Sequence, residues 1–539
     1  MKVKKWGTVS LSAFLAVSAV LAGCAEGNGG EGKSGEPNAA QISKEVSFPL
    51  KEQIKLRMFA QKNPVVKKDY NEMKFFKDME QKSNVKIEWS YGTATDTVEK
   101  MNLLFASNDL PDAFFGPYLM GTNDIVRYGS EGQIIPLEGM IDKYAPNIKA
   151  LFEKRPEYKK YVTAPDGHIY TIPMISETLE NTTPDTMFIN KKWLDKLNLK
   201  MPTTTDELYE VLKAFRDQDP NGNGKKDEIP FSVLDMKNPI QGPLSLAGAF
   251  GKSFPSGNAS FFHVENGKLT FAPLLPENKD FLVYMNKLYK EKLLDPELFT
   301  QNAQVYQAKQ KSNPAIVGVH FVWSNSAIFG NATTDYVAVP PLKGPGGKAG
   351  WNRQGPNNTP HGFSITKENK YPEATLQWFD LIYDPKTSME ATWGPFGINL
   401  KEENGMFEIL KAEGMSDLDF RYSESPGAQA PGAVLKETFD KMKQNEGGKE
   451  KADYIKMYQP FQPKEIFPRD VMLNKEDAEK AKQFAVDVTQ SKGYLDQAIA
   501  KIISSDNPEG EWKAMVEQLK KYGIDQYTQM MQSYYDKLK

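Results

Sequence analysis

Ile54-Lys-Leu-Arg-Met-Phe59, Val85-Lys-Ile-Glu-Trp-Ser-Tyr91 and Asn108-Asp-Leu-Pro-Asp-Ala-Phe-Phe115 decide the fold class of this chain. The first two alternate apolar and polar residues with period two, as half-buried strands do. The third is a turn leading into another strand. Between them, residues 67–82 and Thr97 to Ser107 carry helical spacing. Strand, helix, strand, helix, strand is the rhythm of an α/β sheet. Ligands of such sheets sit beyond the carboxyl ends of the strands. Phe115-Gly116-Pro117 lies at such an end.

Further along, Gly132-Gln-Ile-Ile-Pro-Leu137 is a turn and a short extended piece before a helix reaching Tyr144. Asp166-Gly167 is a turn, and His168 to Pro173 reads as a strand. Met187 to Asn190 is another. Thr204 or Thr205 caps a helix whose first turn carries Asp206 and Glu207. Gly344-Pro-Gly-Gly-Lys348 lacks the P-loop pattern and reads as a hairpin turn. After residue 400 the pattern is mostly helical, with loops around Ser423-Glu-Ser-Pro-Gly427 and Gln459-Pro-Phe-Gln-Pro463.

Taken in order, these pieces resemble the solute-binding proteins of ABC importers, in the sugar-binding branch. The matching stretches are Ser107-Asn-Asp-Leu-Pro-Asp112, Gly132 to Leu137, Asp166 to Pro173, Phe188-Ile-Asn190, Met201-Pro-Thr-Thr-Thr-Asp-Glu-Leu208, Tyr336-Val-Ala-Val-Pro-Pro-Leu342 and Phe363 to Ala374. Each is weak alone; their order is specific. The resemblance implies a periplasmic-binding-protein-like type II fold, with two α/β lobes, a hinge and a ligand cleft between them. Crossings are expected near Tyr170 to Met187 and near Val337 to Leu342. Residues 45–172 plus 343–385 are then the first lobe, and 180–336 plus 390–539 the second. The implied activity is capture of an oligosaccharide or other sugar, without turnover, for delivery to a membrane permease. The protein is expected to act as a monomer.

The sharpest local motif is Asp217-Gln-Asp-Pro-Asn-Gly-Asn-Gly-Lys-Lys-Asp-Glu228. Calcium takes six to eight oxygens, and alternate residues of a tight loop can point inward together. Gly222 and Gly224 permit the sharp turns. Two frames fit. One has EF-hand spacing, with Asp217, Asp219 and Asn221 at positions one, three and five and Glu228 at twelve. The other uses Asp219, Asn221, Asn223, the Lys225 carbonyl, Asp227 and Glu228, and resembles the calcium loop of alginate-binding proteins. The second is preferred, with a structural Ca2+.

Sugar rings present apolar faces to aromatic side chains and a hydroxyl rim to polar ones. Aromatic candidates at expected strand ends or crossings are Trp89, Tyr91, Phe115, Trp323, Trp351 and Trp393. Polar candidates are Gln61, Asp112, Asn190, Arg353, Asn357 and His361. Trp193 and Trp378 lie on helical patterns and read as core.

The chain opens Met1-Lys-Val-Lys-Lys5, then runs uncharged from Trp6 to Gly23 and ends that run Leu21-Ala-Gly-Cys24. A basic start, an apolar stretch and small residues form a secretory signal. The last four residues resemble the bacterial lipobox. That implies cleavage after residue 23, acylation of Cys24 and anchoring at the extracellular face of the cell membrane. Residues 24–44, almost free of large apolar side chains, read as a flexible tether. Cys24 is the single cysteine, so the body holds no disulfide.

The formal charge is −3, and residues 1–23 hold three lysines and no acid, so the remainder stands at −6. That excludes a nucleic-acid-binding surface of the usual basic kind. Only four histidines occur, without zinc-helix spacing, and there is no Gly-x-Ser-x-Gly elbow. Carboxylate pairs for glycoside cleavage have no fixed spacing, so a secreted polysaccharide hydrolase or lyase is the alternative.

Overall fold

The computed structural model describes residues 46–539 except 94–95, 179–181, 253–260, 330–333, 356–357, 412–413, 416, 444–445, 469 and 491. Cys24, the signal and the tether lie outside the described residues, as does Asn357. No helix among the described residues is long and apolar enough to cross a membrane.

The alternating runs are strands, at Ile54–Gln61 and Val85–Gly92. They pair in parallel over their full length, with Ile54 opposite Val85 and Gln61 opposite Gly92. The helix Thr97–Ser107 follows, then the strand Ala113–Phe115, parallel to the first. Residues 67–82 divide instead into a 3-10 turn, Tyr70–Glu72, and the helix Lys74–Ser83. Asp69 forms a capping box on the turn, and Met73 breaks the run in an extended conformation.

Two sheets organise the body. In the first, Ala433–Val434, Ile172–Ser176, Thr359–Ile365, Ala113–Phe115, Ile54–Gln61 and Val85–Gly92 lie in that order. In the second, Tyr336–Ala338, Thr186–Asn190, Val317–Val322 and Ile229–Ser232 do. Each carries its own apolar core. The first core holds Leu56, Phe114, Ile134, Ile172, Phe363 and Trp378; the second holds Met187, Trp193, Phe215, Phe321, Ile502 and Tyr534. The two helical tryptophans are thus core residues, as their spacing predicts. His168 to Tyr170 is not in the sheet: Thr163 bridges Ile169 and Ala164 bonds the His168 carbonyl, so that segment folds back as a small turn.

The chain crosses between the cores three times, and the last crossing comes later than the expected partition places it. It leaves the first sheet after Ser176 and enters the second at Thr186. It returns between Trp351, still in the second core, and the strand Thr359–Ile365 of the first. It crosses again between Leu435 in the first core and Tyr458 in the second. The expected partition is therefore corrected at two points. Residues 343–351 stay with the second lobe, where Lys343 bonds Thr203 and Thr205 and Gly350 lies against Gly248. Residues 390–443 stay with the first, because Ala391, Tyr422, Ala430 and Ala433 fill its core. A satellite cluster of Leu400, Phe407, Phe439 and Met442 covers their outer side. Beyond that the tail is helical, as expected, and ends in the helix Ile524–Leu538.

Candidate functional site

Strand direction defines where the two sheets face each other. Ile172–Ser176 runs antiparallel to Thr359–Ile365, which is antiparallel to Ala113–Phe115. The carboxyl ends of the Ile54, Ala113 and Ile172 strands therefore share the edge from which the chain departs after Ser176. In the second sheet Thr186–Asn190 is antiparallel to Val317–Val322 and to Tyr336–Ala338, and Ile229–Ser232 is parallel to Val317–Val322. Its crossing edge therefore carries Asp185, Val233, Trp323 and Val339. These two edges, joined by the crossings, are the walls of the site.

On the first wall the loop Gly116-Pro117-Tyr118 turns sharply. Gly116 has φ +102°, and a Cβ there would lie 2.3 Å from the Gln429 carbonyl oxygen. Tyr118 has φ +68° and is 43% exposed. An aromatic residue in that region is strained, and such strain clusters at binding sites. His361 is buried behind the loop, with Nδ1 2.9 Å from the Gly116 carbonyl and Nε2 3.2 Å from Ser364 Oγ. Burial pulls its pKa down to about 4, so it is neutral. On the second wall Trp323 is half-buried. The enclosed Lys451 donates to its carbonyl (2.8 Å) and lies 5.0 Å from its ring centroid, a cation–π distance.

The crossings are knitted together at the floor. Ser245 Oγ donates to Asp185 Oδ1 (2.6 Å) and accepts from the Asn352 N–H (3.3 Å). Gln462 Nε2 reaches Thr183 Oγ1 and the Asn352 carbonyl, both at 2.9 Å. Arg353 Nη1 donates to the carbonyls of Pro463 (3.3 Å) and Lys464 (3.0 Å). Thr182, Arg353, Gln459 and Gln462 line a cavity of about 250 Å³ here. Asp185 is fully enclosed, and its Oδ2 has no hydrogen-bond partner. Desolvation raises its pKa to about 7 against the opposing pull of the Ser245 hydroxyl and the Lys451 charge.

Of the residues expected at the cleft, Gln61, Trp323 and Arg353 lie at the crossing edge or on the crossings. The other described candidates are buried, engaged by neighbouring side chains, or at the far ends of their strands. Phe115 is wholly buried against Phe76 (5.7 Å), Trp89 (5.0 Å) and Phe379 (6.1 Å). Trp89 packs edge-on to Phe76 and Tyr70. Tyr91 spends its hydroxyl on Asp69 Oδ2 and the Tyr70 N–H, both 3.1 Å. Trp351 is buried, stacked on Tyr458 at 4.0 Å. Asn190 caps the helix Lys191–Lys196 from the far end of its strand. Asp112 precedes its strand, also at the far end, and accepts the Arg57 N–H at 2.6 Å. Trp393 ends the helix Pro385–Trp393 rather than sitting in a loop, and packs against Phe439 and Arg421. Tyr118, Asp185, Lys451 and Gln462 were not singled out by sequence. Only Tyr118 carried a signal, three residues beyond Phe115 after a Gly-Pro turn.

The acid-rich loop lies between the helix Thr205–Asp217 and the strand Ile229–Ser232. It is at the end of that strand opposite the cleft. Asp217 closes the helix and pairs with Arg216 (2.7 and 2.8 Å). Asp219 Oδ1 accepts from Gly222 and Asn223, and Oδ2 from Gly224, at 2.9–3.1 Å. The Asn221 and Asn223 amides both donate to Asp227, at 3.0–3.1 Å. Glu228 Oε1 is buried without a partner; burial and the neighbouring Asp219 and Asp227 charges raise its pKa. Among the described residues no group of three or more His, Cys, Asp or Glu side chains is arranged to hold a metal by itself. The loop instead offers carboxylates together with amide and main-chain oxygens, the mixed oxygen set that calcium accepts. Crowded acids and an orphaned carboxylate oxygen fit a cation; the two amide N–H donors at Asp227 stand where its charge would act.

Residues 62–389 match the family of bacterial extracellular solute-binding proteins. The chain belongs to this family. It is 33% identical, over 99% of its own length and 98% of that protein's, to the fructooligosaccharide ABC transporter substrate-binding protein FusA of Streptococcus pneumoniae serotype 4. Its fold matches the structure of S. pneumoniae FusA in complex with kestose (32% identity, TM-score 0.77, 89% of this chain and 99% of that one). The same figures hold for a FusA EF-hand mutant in complex with fructo-nystose. The alginate-binding protein AlgQ2, without calcium ion, matches at 26% identity and TM-score 0.68, over 91% of this chain and 100% of that one. The two sheets of this solute-binding protein are the lobes of the type II fold, and its crossings form the hinge.

Proposed function

We propose that this solute-binding protein captures an oligosaccharide between its lobes, without turnover, and delivers it to the permease of an ABC importer. The observation that carries the reading is end-to-end similarity to FusA, together with two strand edges facing a hinge. A fructooligosaccharide is the first ligand to test. Trp323 offers the sugar a flat apolar face, and Tyr118 stands on the opposite wall. The hinge network around Gln462 and Asn352 lets the walls approach while the crossings stay in register. Cys24, once acylated, holds the body at the outer face of the membrane beside its permease. Calcium, when bound, ties the helix Thr205–Asp217 to the strand Ile229–Ser232 through Asp219, Asn221, Asn223, the Lys225 carbonyl, Asp227 and Glu228. Its role is structural, because the loop faces away from the cleft.

Calorimetric titration of kestose into residues 45–539, with chromatography of the sugar afterwards, tests this. Saturable binding with the sugar intact is expected; released monosaccharide would establish the hydrolase alternative. Trp323→Ala is expected to weaken binding about 10- to 100-fold, the range for an aromatic anchor. Unchanged affinity would remove Trp323 from the site.

A further inference from the structure

The strand Ile229–Ser232 runs parallel to Val317–Val322, with Ser232 opposite His320. The two strands therefore leave the sheet on the same side, one into Trp323 and the other into Leu234–Asn238. Adjacent strands are about 4.8 Å apart. At the same edge as Trp323, around Leu234–Asn238, the second lobe opens a groove of about 850 Å³. That volume is within the range of small-molecule sites.

Its floor is apolar and aromatic. Phe299 is 40% exposed and lies edge-on to Tyr289, at 5.6 Å between ring centroids. Phe261 is buried and held at φ +46°. The rim is polar: Asp235, Asn238, Lys492 and Gln497 line it. Its charges balance. Lys237 is paired with Asp496 at 2.6 Å, and Lys492 and Asp235 remain, one of each sign. An aromatic floor under a polar rim of zero net charge suits a neutral polyhydroxylated chain better than an acidic one.

We propose that this groove is a second carbohydrate subsite, which receives the outer units of an oligosaccharide whose first units lie against Trp323. The inference rests on the sugar-binding reading above. The groove contributes nothing to a short ligand and stacks Phe299 against a longer one, so the protein prefers long chains.

Kestose and a long inulin-type fructooligosaccharide serve as probes, titrated calorimetrically against the parent, Phe299→Ala and Gln497→Ala. Both side chains are solvent-facing, and equal melting temperatures verify the fold. Phe299→Ala is expected to weaken the long chain about 5- to 10-fold, an aromatic contact of about 1–1.4 kcal/mol, and to leave kestose unchanged. Gln497→Ala acts in the same sense, more weakly. Equal weakening of both sugars, or of neither, overturns the subsite while the sugar-binding reading stands. If the parent binds neither sugar, that reading fails and takes the subsite with it.

Discussion

Chelation of divalent cations is expected to lower the melting temperature of the soluble body by about 5–10 °C. A ligand that binds only the folded state stabilises it by about 3–4 kcal/mol at 100 to 1,000 times its Kd. One kcal/mol moves a lobe of about 250 residues by about 2 °C. The physical ground is the loop between residues 219 and 228. Asp219, Asp227 and Glu228 crowd together, and Glu228 Oε1 is buried with no donor. Without a cation, backbone N–H groups compensate the Asp219 carboxylate and two amides that of Asp227. Glu228→Gln is therefore expected to act in both directions: it relieves like-charge repulsion in chelator and abolishes the gain from calcium. Calorimetry with calcium or with chelator reads both. Identical melting curves in the parent would dismiss the site. Because the loop lies at the far end of its strand, kestose affinity in the folded protein should not follow calcium.

The second large effect concerns Asp185. Its carboxyl is enclosed on a crossing and titrates near pH 7, against about 3.9 when unfolded. Between those values the native state holds a proton that the unfolded state has lost. Stability from this group therefore falls as pH rises from about 4 to 7 and is level above. Asp185→Asn removes the titration but keeps an acceptor for Ser245. Relative to the parent, the variant should gain about 2–3 kcal/mol of stability on going from pH 5 to pH 8. Denaturant melts at the two pH values measure this. A constant difference between the proteins would mean that the carboxyl is already charged at pH 5, held so by the neighbouring Lys451.

The fold class was legible because the deciding signals are local. Alternation at Ile54 and Val85, the Thr204 cap and the helix Thr97–Ser107 need only neighbours in sequence. The partition of the tail was not legible. The position of the last crossing leaves no mark in composition, and the small residues Ala430 and Ala433 give no hint that they fill the first core. The cleft was legible only in part for a similar reason. Phe115 and Trp351 sit near strand ends, as cleft aromatics do, yet their partners Phe379 and Tyr458 lie far along the chain. Asp112 and Asn190 are at strand ends too, but at the ends turned away from the hinge, which only sheet topology reveals. The Lys451 charge comes to act on Asp185 only through the third crossing, which carries Lys451.

The proposed function requires that a sugar bind between two lobes that close on it. X-ray scattering of residues 45–539 with and without saturating kestose tests it most directly. A smaller radius of gyration is expected with sugar, and no such change in Trp323→Ala at the same sugar concentration. An unchanged radius in the parent, with binding verified by calorimetry in the same sample, would contradict it.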